Sequence, residues 1–184
     1  MEPHSTERLS FRPLASSDAG LLDALNNAPG VMTYLDRHPP TLEHLIAHTI
    51  PEQLRIAREH PCYGMRLAYL HDTGACIGWF ELEPDVPNPG DAEIGYRLFP
   101  QYWAQGLATE GARELVRFAF DDLRAERCVA ITMAVNSPSR KVMERIGFRY
   151  IRTFHEEFDD PLPGTEQGEV EYALTREEWL LRRS

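Results

Sequence analysis

Cysteine is scarce in this chain: Cys62, Cys76 and Cys128 are odd in number and lack both the paired spacing of a zinc site and the density of a disulfide framework. They are expected to be buried thiols in a reducing compartment. Long apolar runs are missing too, and no stretch reaches membrane-spanning length. The opening Met1, Glu2, Pro3, His4, Ser5, Thr6, Glu7 has neither the basic nor the apolar region of a targeting leader, so a cytoplasmic location without membrane contact is expected. Positive charge is in short supply. With 19 Lys and Arg against 29 Asp and Glu, the formal net charge of -10 disfavours nucleic acid and favours a cationic partner such as a protonated amine. The histidines are scattered; His44 and His48 share a helix face, but no carboxylate or third ligand joins them, so no metal is expected. Internal repeats and low-complexity tracts are also absent.

What is present suits one domain over residues 1–184, since 184 residues with 42% hydrophobic content make one well-buried core and are few for two. Residues 8–14 alternate charged and apolar side chains and predict a strand that Pro13 places at a sheet edge or end. Ser16, Ser17 and Asp18 offer a cap for a helix to about residue 25. Thr41 caps a second helix to about residue 59, with Leu45, Ile46, Ile50, Leu54 and Ile56 as an apolar stripe and Pro51 as a break or kink. Residues 62–70 and 75–82 predict strands joined by a tight turn at His71, Asp72, Thr73 and Gly74. Residues 84–90, with three prolines, predict a loop. A strand over 91–99 leads to a helix ending near 123, with Ala108, Ala112, Leu115, Ala119 and Leu123 on one face. The nearly unbroken apolar run 128–135 predicts a central strand covered on both sides. Ser137 and Pro138 begin a helix that ends at Ile146 and Gly147, and residues 148–158 and 169–174 complete the sheet.

The most informative stretch is Trp103, Ala104, Gln105, Gly106, Leu107, Ala108, Thr109 and Glu110. A strand that passes through small residues into a helix presents free N–H groups and the positive end of the helix dipole, which suits a phosphate or pyrophosphate. Gly106 is expected there because a side chain would hold the backbone off the anion, and Ala108 is nearly as small. This loop, the segment Glu93, Ile94, Gly95, Tyr96, Arg97, Leu98 before it, and Asn136, Ser137, Pro138, Ser139 leading to Ile146, Gly147, Phe148 after it resemble in order and spacing the GNAT superfamily of acyl-CoA N-acyltransferases. Thr6, Glu7, Arg8, Leu9 with Arg12, Pro13, Leu14, and the closing Tyr172, Ala173, Leu174, Thr175, Arg176, Glu177, Glu178, Trp179, resemble its RimJ/RimL-like branch. Named members of that branch acetylate N-termini of ribosomal proteins.

The resemblance implies an α/β (α+β) fold, a mixed and mostly antiparallel sheet of about seven strands flanked by helices and splayed between strands 4 and 5. It implies acetyl-CoA as acyl donor, with no metal, held by the backbone of Trp103, Ala104, Gln105, Gly106, Leu107, Ala108 and Thr109; Trp103 departs from the usual Gln or Arg. Leu98 falls where the family's fourth strand bulges toward the pantetheine arm and thioester, and Asn136 and Ser139 match polar residues that meet the cofactor. Glu93 matches a general base, and a backbone N–H near Leu98 an oxyanion donor. Met143 stands where many members carry a Tyr acid, and Ser139 is the branch's substitute. His155 and Glu157, on one face of the following strand, are second-choice acid/base groups. None of the cysteines falls in these motifs, so direct attack in a ternary complex is expected rather than an acyl-enzyme.

Plainer roles stand beside these. Glu93 could serve a surface ion pair, and Ser139 backbone hydrogen bonding at a helix start. Glu156, Glu157, Asp159 and Asp160 form either a solvated hairpin or a cation entrance, and Trp79, Phe80, Tyr102 and Trp103 read as core or cleft wall. The expected acceptor is a protein or peptide N-terminal α-amine. A small amine (antibiotic or polyamine) is the alternative, as is a non-catalytic acyl-CoA-binding module, which Met143 keeps open. A homodimer is also left open.

Overall fold

The computed structural model describes residues 3–85 and 87–183. Met1 and Glu2 of the opening segment, Val86 of the 84–90 loop and Ser184 lie outside the described residues. Among those described, one sheet contains β1 (Leu9–Pro13), β2 (Gly64–Leu70), β3 (Cys76–Pro84), β4 (Asp91–Leu98), β5 (Arg127–Met133), β6 (Arg149–Phe154) and β7 (Glu169–Thr175). Their spatial order is β1-β2-β3-β4-β5-β7-β6. Every neighbouring pair is antiparallel except β4 and β5, whose parallel ladder holds only Asp91↔Arg127, Ala92↔Cys128 and Glu93↔Val129. Past Glu93 the two strands part, which is the expected splay. No helix among the described residues is long and apolar enough to cross a membrane.

The helices are α1 (Ala19–Asn26), α2 (Leu42–His44), α3 (Ile50–Glu59), α4 (Leu107–Arg117), α5 (Ser137–Arg145) and α6 (Arg176–Leu181). One apolar cluster joins Phe80, Leu82, Ile94 and Leu98 of β3 and β4 to Ala112 and Leu115 of α4 and Met143 of α5. The second lies across the sheet, where Leu22 and Leu25 of α1 and Ile50 of α3 pack on Leu67 and Trp79. No β5 residue belongs to that second cluster. β5 is central as expected, but it is not covered on both sides: Ile131 is 41% exposed, because α1 and α3 lie over β2 and β3 instead.

Several local expectations are revised. Pro51 neither breaks nor sharply interrupts its helix. The chain runs from α2 through a wide π-helical turn, Leu45–Thr49, into α3, which places Pro51 directly after the change of hydrogen-bond period. Of the three residues offered as a cap, Asp18 holds the N-cap position of α1, and its buried carboxylate accepts from Ala15 N–H at 2.7 Å and pairs with Arg12. Asn136 rather than Ser137 caps α5. β6 ends at Phe154, so His155 and Glu157 lie beyond the strand and share no strand face. Of the thiols only Cys128 is buried; Cys62, in a turn at φ +84, and Cys76, at the start of β3, are half-buried. The closing segment forms α6, whose Thr175 and Glu178 side chains complete a capping box and whose Trp179 packs on Phe120.

Candidate active site

The free edge of β4 is the first component. Phe99 N–H donates to Ile77 O at 2.9 Å and Asp85 N–H to Asp91 O at 3.1 Å, and the β3–β4 register runs unbroken between them. Alternation along an antiparallel pair therefore turns the backbone groups of Tyr96 and Leu98 away from β3 and toward β5. At that level β5 has diverged, so these groups open into the gap. Leu98 O accepts from Trp103 Nε1 at 2.8 Å, which leaves the Leu98 N–H as the donor aimed there. β4 itself keeps its register at Leu98, and the bulge sits in β3, where Ile77 is the extra residue. Gly78, at φ +136, permits the close approach of the two strands; a Cβ there would lie 2.1 Å from Arg97 O.

The second component is the turn into α4. Gly106 is the N-cap residue, with left-handed φ +79 and no side-chain cap, so the first amides of α4 have no intrahelical partner. The reason for glycine differs from expectation. A Cβ at Gly106 would meet nothing closer than Arg8 Nη2 at 3.5 Å, so its left-handed backbone rather than space requires it. Ala104 also has positive φ, at +57. The loop is braced from the N-terminal segment: Glu110 accepts from Thr6 Oγ1 at 2.5 Å and from Arg8 N at 2.8 Å, and Arg8 Nη1 donates to Gln105 O at 3.0 Å. Burial opposes the Glu110 charge, but these bonds hold its pKa below the usual range. Arg8, Arg113, Arg117, Arg145 and Arg183, together with Glu7, Glu110 and Glu114, line a concavity of about 830 Å³ beside Gly106.

Across the gap stands the first turn of α5. Asn136 Oδ1 accepts from Ser139 N at 3.3 Å and its Nδ2 donates to Thr132 Oγ1 at 2.9 Å, so its side chain holds the helix start. Ser139 Oγ lies 3.0 Å from Tyr96 Oη, a hydrogen bond that spans the splay. The Tyr96 ring is half-buried, 6.0 Å from Phe80. Met143 is 3% exposed among core side chains, so it lies in the core with the other buried residues.

The opposite face of the same strands is acidic. In the β3–β4 register Glu83 faces Glu93 and Glu81 faces Gly95, which has no side chain to displace it: a Cβ at Gly95 would sit 2.8 Å from Glu81 Oε1. Burial pushes the Glu81 pKa up to about 8, with further upward pressure from Glu83 and Glu93 and a downward pull from Arg97. Glu93 is open to solvent, yet the surrounding protein, followed by Glu83, Asp85 and Glu171, raises its pKa. Gln53 of α3 donates to Glu83 at 2.7 Å, and Arg97, stacked 5.1 Å over Trp79, donates to Asn26 of α1. Arg97 Nε is buried without a partner. Glu81 and Tyr96 were not singled out as functional from the sequence; their roles emerge only from strand register.

The remaining expected groups lie elsewhere. His155 lines a hollow of about 520 Å³ with Arg37 and Phe158 past the end of β6, Glu157 is exposed nearby, and Asp160 pairs with Arg37 at 3.2 Å. His44 and His48 stack at 4.8 Å, and among the described residues no group of three or more His, Cys, Asp or Glu could hold a metal ion.

Residues 8–149 match the family described as acetyltransferase (GNAT) domain. FsC-acetyl coenzyme A-N(2)-transacetylase of Aspergillus fumigatus is 36% identical over 183 residues, covering 95% of this chain and 77% of that protein. YdaF of Bacillus subtilis, a proposed ribosomal N-acetyltransferase, is 32% identical over 187 residues, with 94% of each chain covered. The backbone also matches the ribosomal-protein-S5-alanine acetyltransferase from Vibrio fischeri with a TM-score of 0.77 over 96% of this chain and 97% of that one; at 16% identity this is a likeness of fold.

Proposed function

The chain belongs to the GNAT acetyltransferase family and is an acetyl-CoA-dependent N-acetyltransferase, and from that premise we propose that it acetylates the α-amine of a peptide or protein N-terminus by direct transfer. The observation that carries the site is the gap past Glu93, with the Leu98 N–H along one edge and the uncapped start of α4 at its end. In this reading residues 1–184 form one catalytic domain. The amides of the Trp103 to Thr109 loop hold the donor's pyrophosphate, and Asn136 keeps the first turn of α5 in place beside it. The Leu98 N–H stabilises the oxyanion. Glu93 takes the proton from the ammonium, and the hydroxyl pair at Ser139 serves the departing thiolate.

The acceptor reading rests on the acidic face. An amine arrives as a cation, and the carboxylates of Glu83 and Glu93 attract it before Glu93 deprotonates it. No apolar cluster roofs Ile131 beside Glu93, so the acceptor side is open enough for a chain. A second reading, the N(2) amine of FsC, is favoured by the 36% identity to the fungal transacetylase.

The test is CoA release from acetyl-CoA with peptides beginning in Ser, Ala or Thr, with FsC, and with spermidine. Turnover concentrated on the peptides is the expected result, and turnover on FsC or spermidine alone would overturn the peptide assignment. A Glu93→Gln, Ser139→Ala double variant should lose most of its activity; full CoA release by it would remove both residues from the chemistry.

A further inference from the structure

We propose that the proton received by the departing CoA thiolate comes from the Tyr96 hydroxyl, and that Ser139 is the residue that positions it. The inference rests on the donor site assigned above. The position where a family acid is expected is closed to the gap, because Met143 is packed in the core and carries no proton to give. Two hydroxyls instead meet inside the gap, Tyr96 Oη from β4 and Ser139 Oγ from the first turn of α5, 3.0 Å apart. They differ as acids. A phenol has an ordinary pKa of about 10 and a thiol about 8.5, so transfer from a phenol to a thiolate is uphill by roughly 1.5 pK units, and burial, partly offset by the Ser139 hydrogen bond, raises the Tyr96 value further. A primary alcohol is a far weaker acid, and Ser139 alone is a poor source.

Placement supports the same assignment. Tyr96 and Leu98 are two residues apart on one strand, so their side chains share a face and their amides open into the same gap. The oxyanion donor and the proton donor thus stand side by side along the β4 edge. Burial and the Ser139 hydrogen bond are the influences on the Tyr96 hydroxyl, and no charged neighbour acts on it. Its proton is accordingly retained near neutral pH.

The step balances as follows. The amine nitrogen forms the new C–N bond at the thioester carbon, the C–S bond breaks with its electron pair going to sulfur, and Tyr96 Oη–H delivers the proton that makes the thiol. The phenolate is reprotonated from solvent through the Ser139 hydroxyl, and the proton lost by the amine leaves through the acidic face.

Tyr96→Phe and Ser139→Ala test this with two readouts, neither of which a purely structural role would move in the same pattern. The first is the pKa of the CoA thiol in the binary complex, followed by the ultraviolet absorbance of the thiolate, with CoA affinity measured by calorimetry. The second is kcat with acetyl-CoA and a Ser-initiated peptide. Tyr96→Phe should raise the pKa of the bound thiol, leave CoA affinity within a few-fold, and lower kcat by about 100-fold, the lower end of general acid effects. Ser139→Ala should lower kcat by roughly 10-fold or less. An unchanged thiol pKa in Tyr96→Phe at unchanged CoA affinity, or a larger kcat loss in Ser139→Ala than in Tyr96→Phe, would overturn the assignment. Failure of the unaltered protein to bind CoA would overturn the donor site beneath it.

Discussion

Glu81 holds its proton more tightly in the folded protein than in the unfolded chain, since its pKa rises from an ordinary 4.5 to about 8. A group shifted upward stabilises the fold where it is protonated and loses that contribution as pH rises through the folded value. Thermal unfolding followed across pH should therefore show Glu81→Gln matching the parent below pH 4.5 and exceeding it increasingly up to pH 8; a constant difference would contradict the buried neutral carboxyl. In the proposed mechanism Glu93 acts in its ionised form, so its raised pKa should place the acidic limb of kcat/KM above the ordinary carboxylate range. Glu83 is the first charged neighbour that raises it. Glu83→Gln should move that limb to lower pH and Glu93→Gln should remove it, whereas an unmoved limb in both would exclude Glu93 as the titrating base. Such roles are unevenly visible in the residues themselves. Gly106 is legible because a glycine between a strand and a helix marks a left-handed turn, and the structure has it at φ +79. Glu81 and Tyr96 are not, because their importance lies in what stands opposite: Gly95 across one ladder, and Ser139 across the gap, 43 positions away.

α4 is held against the sheet at Gly111, where the ring of Phe80 from β3 occupies the space of a side chain. A Cβ at Gly111 would lie 2.2 Å from Phe80 Cζ. In an exposed helix Gly→Ala gains up to about 1 kcal/mol, but overpacking a core costs about 1–3 kcal/mol, and the ring is itself fully buried and cannot withdraw. Gly111→Ala should thus destabilise in denaturant titration, and it should also weaken CoA binding, because the helix that shifts carries the amides proposed to hold the pyrophosphate. A stabilised variant would show that the helix has room to move. Most element boundaries follow from local signals: the Thr41 cap, the Gly74 hairpin turn and the Gly147 helix end all appear where the sequence places them. The misreadings have a shared cause. Pro51 is reconciled with a continuous helix by a change of hydrogen-bond period, and the Asn136 cap displaces Ser137 through one side-chain bond, neither of which residue type alone reports. α6 is marked in the sequence by Thr175 and Glu178, three residues apart as a capping box requires.

On the scale of the whole molecule, the sheet divides two chemistries. In the proposed reading its α4 and α5 side, with the uncapped amides of α4, takes the anionic donor, and its open side beside α1 and α3, with Glu83 and Glu93, takes the cationic acceptor. The short β4–β5 ladder is what lets the two sides communicate, since only through the gap past Glu93 can a thioester held on one face meet an amine arriving from the other. Composition already carried the sign of the acceptor, because a net charge of -10 repels an anionic chain and attracts a cation. The division makes opposite demands on salt. Screening weakens attraction between the carboxylate face and a cationic acceptor, while it relieves the long-range repulsion between an acidic protein and anionic CoA. With two peptides of equal length that begin in Ser, one followed by basic and one by neutral residues, raising ionic strength should increase KM several-fold for the basic peptide and leave the neutral one little changed. CoA affinity measured alongside should fall much less than affinity for the basic peptide. If both peptides respond equally, the carboxylates of Glu83 and Glu93 tune proton transfer but do not recruit the acceptor.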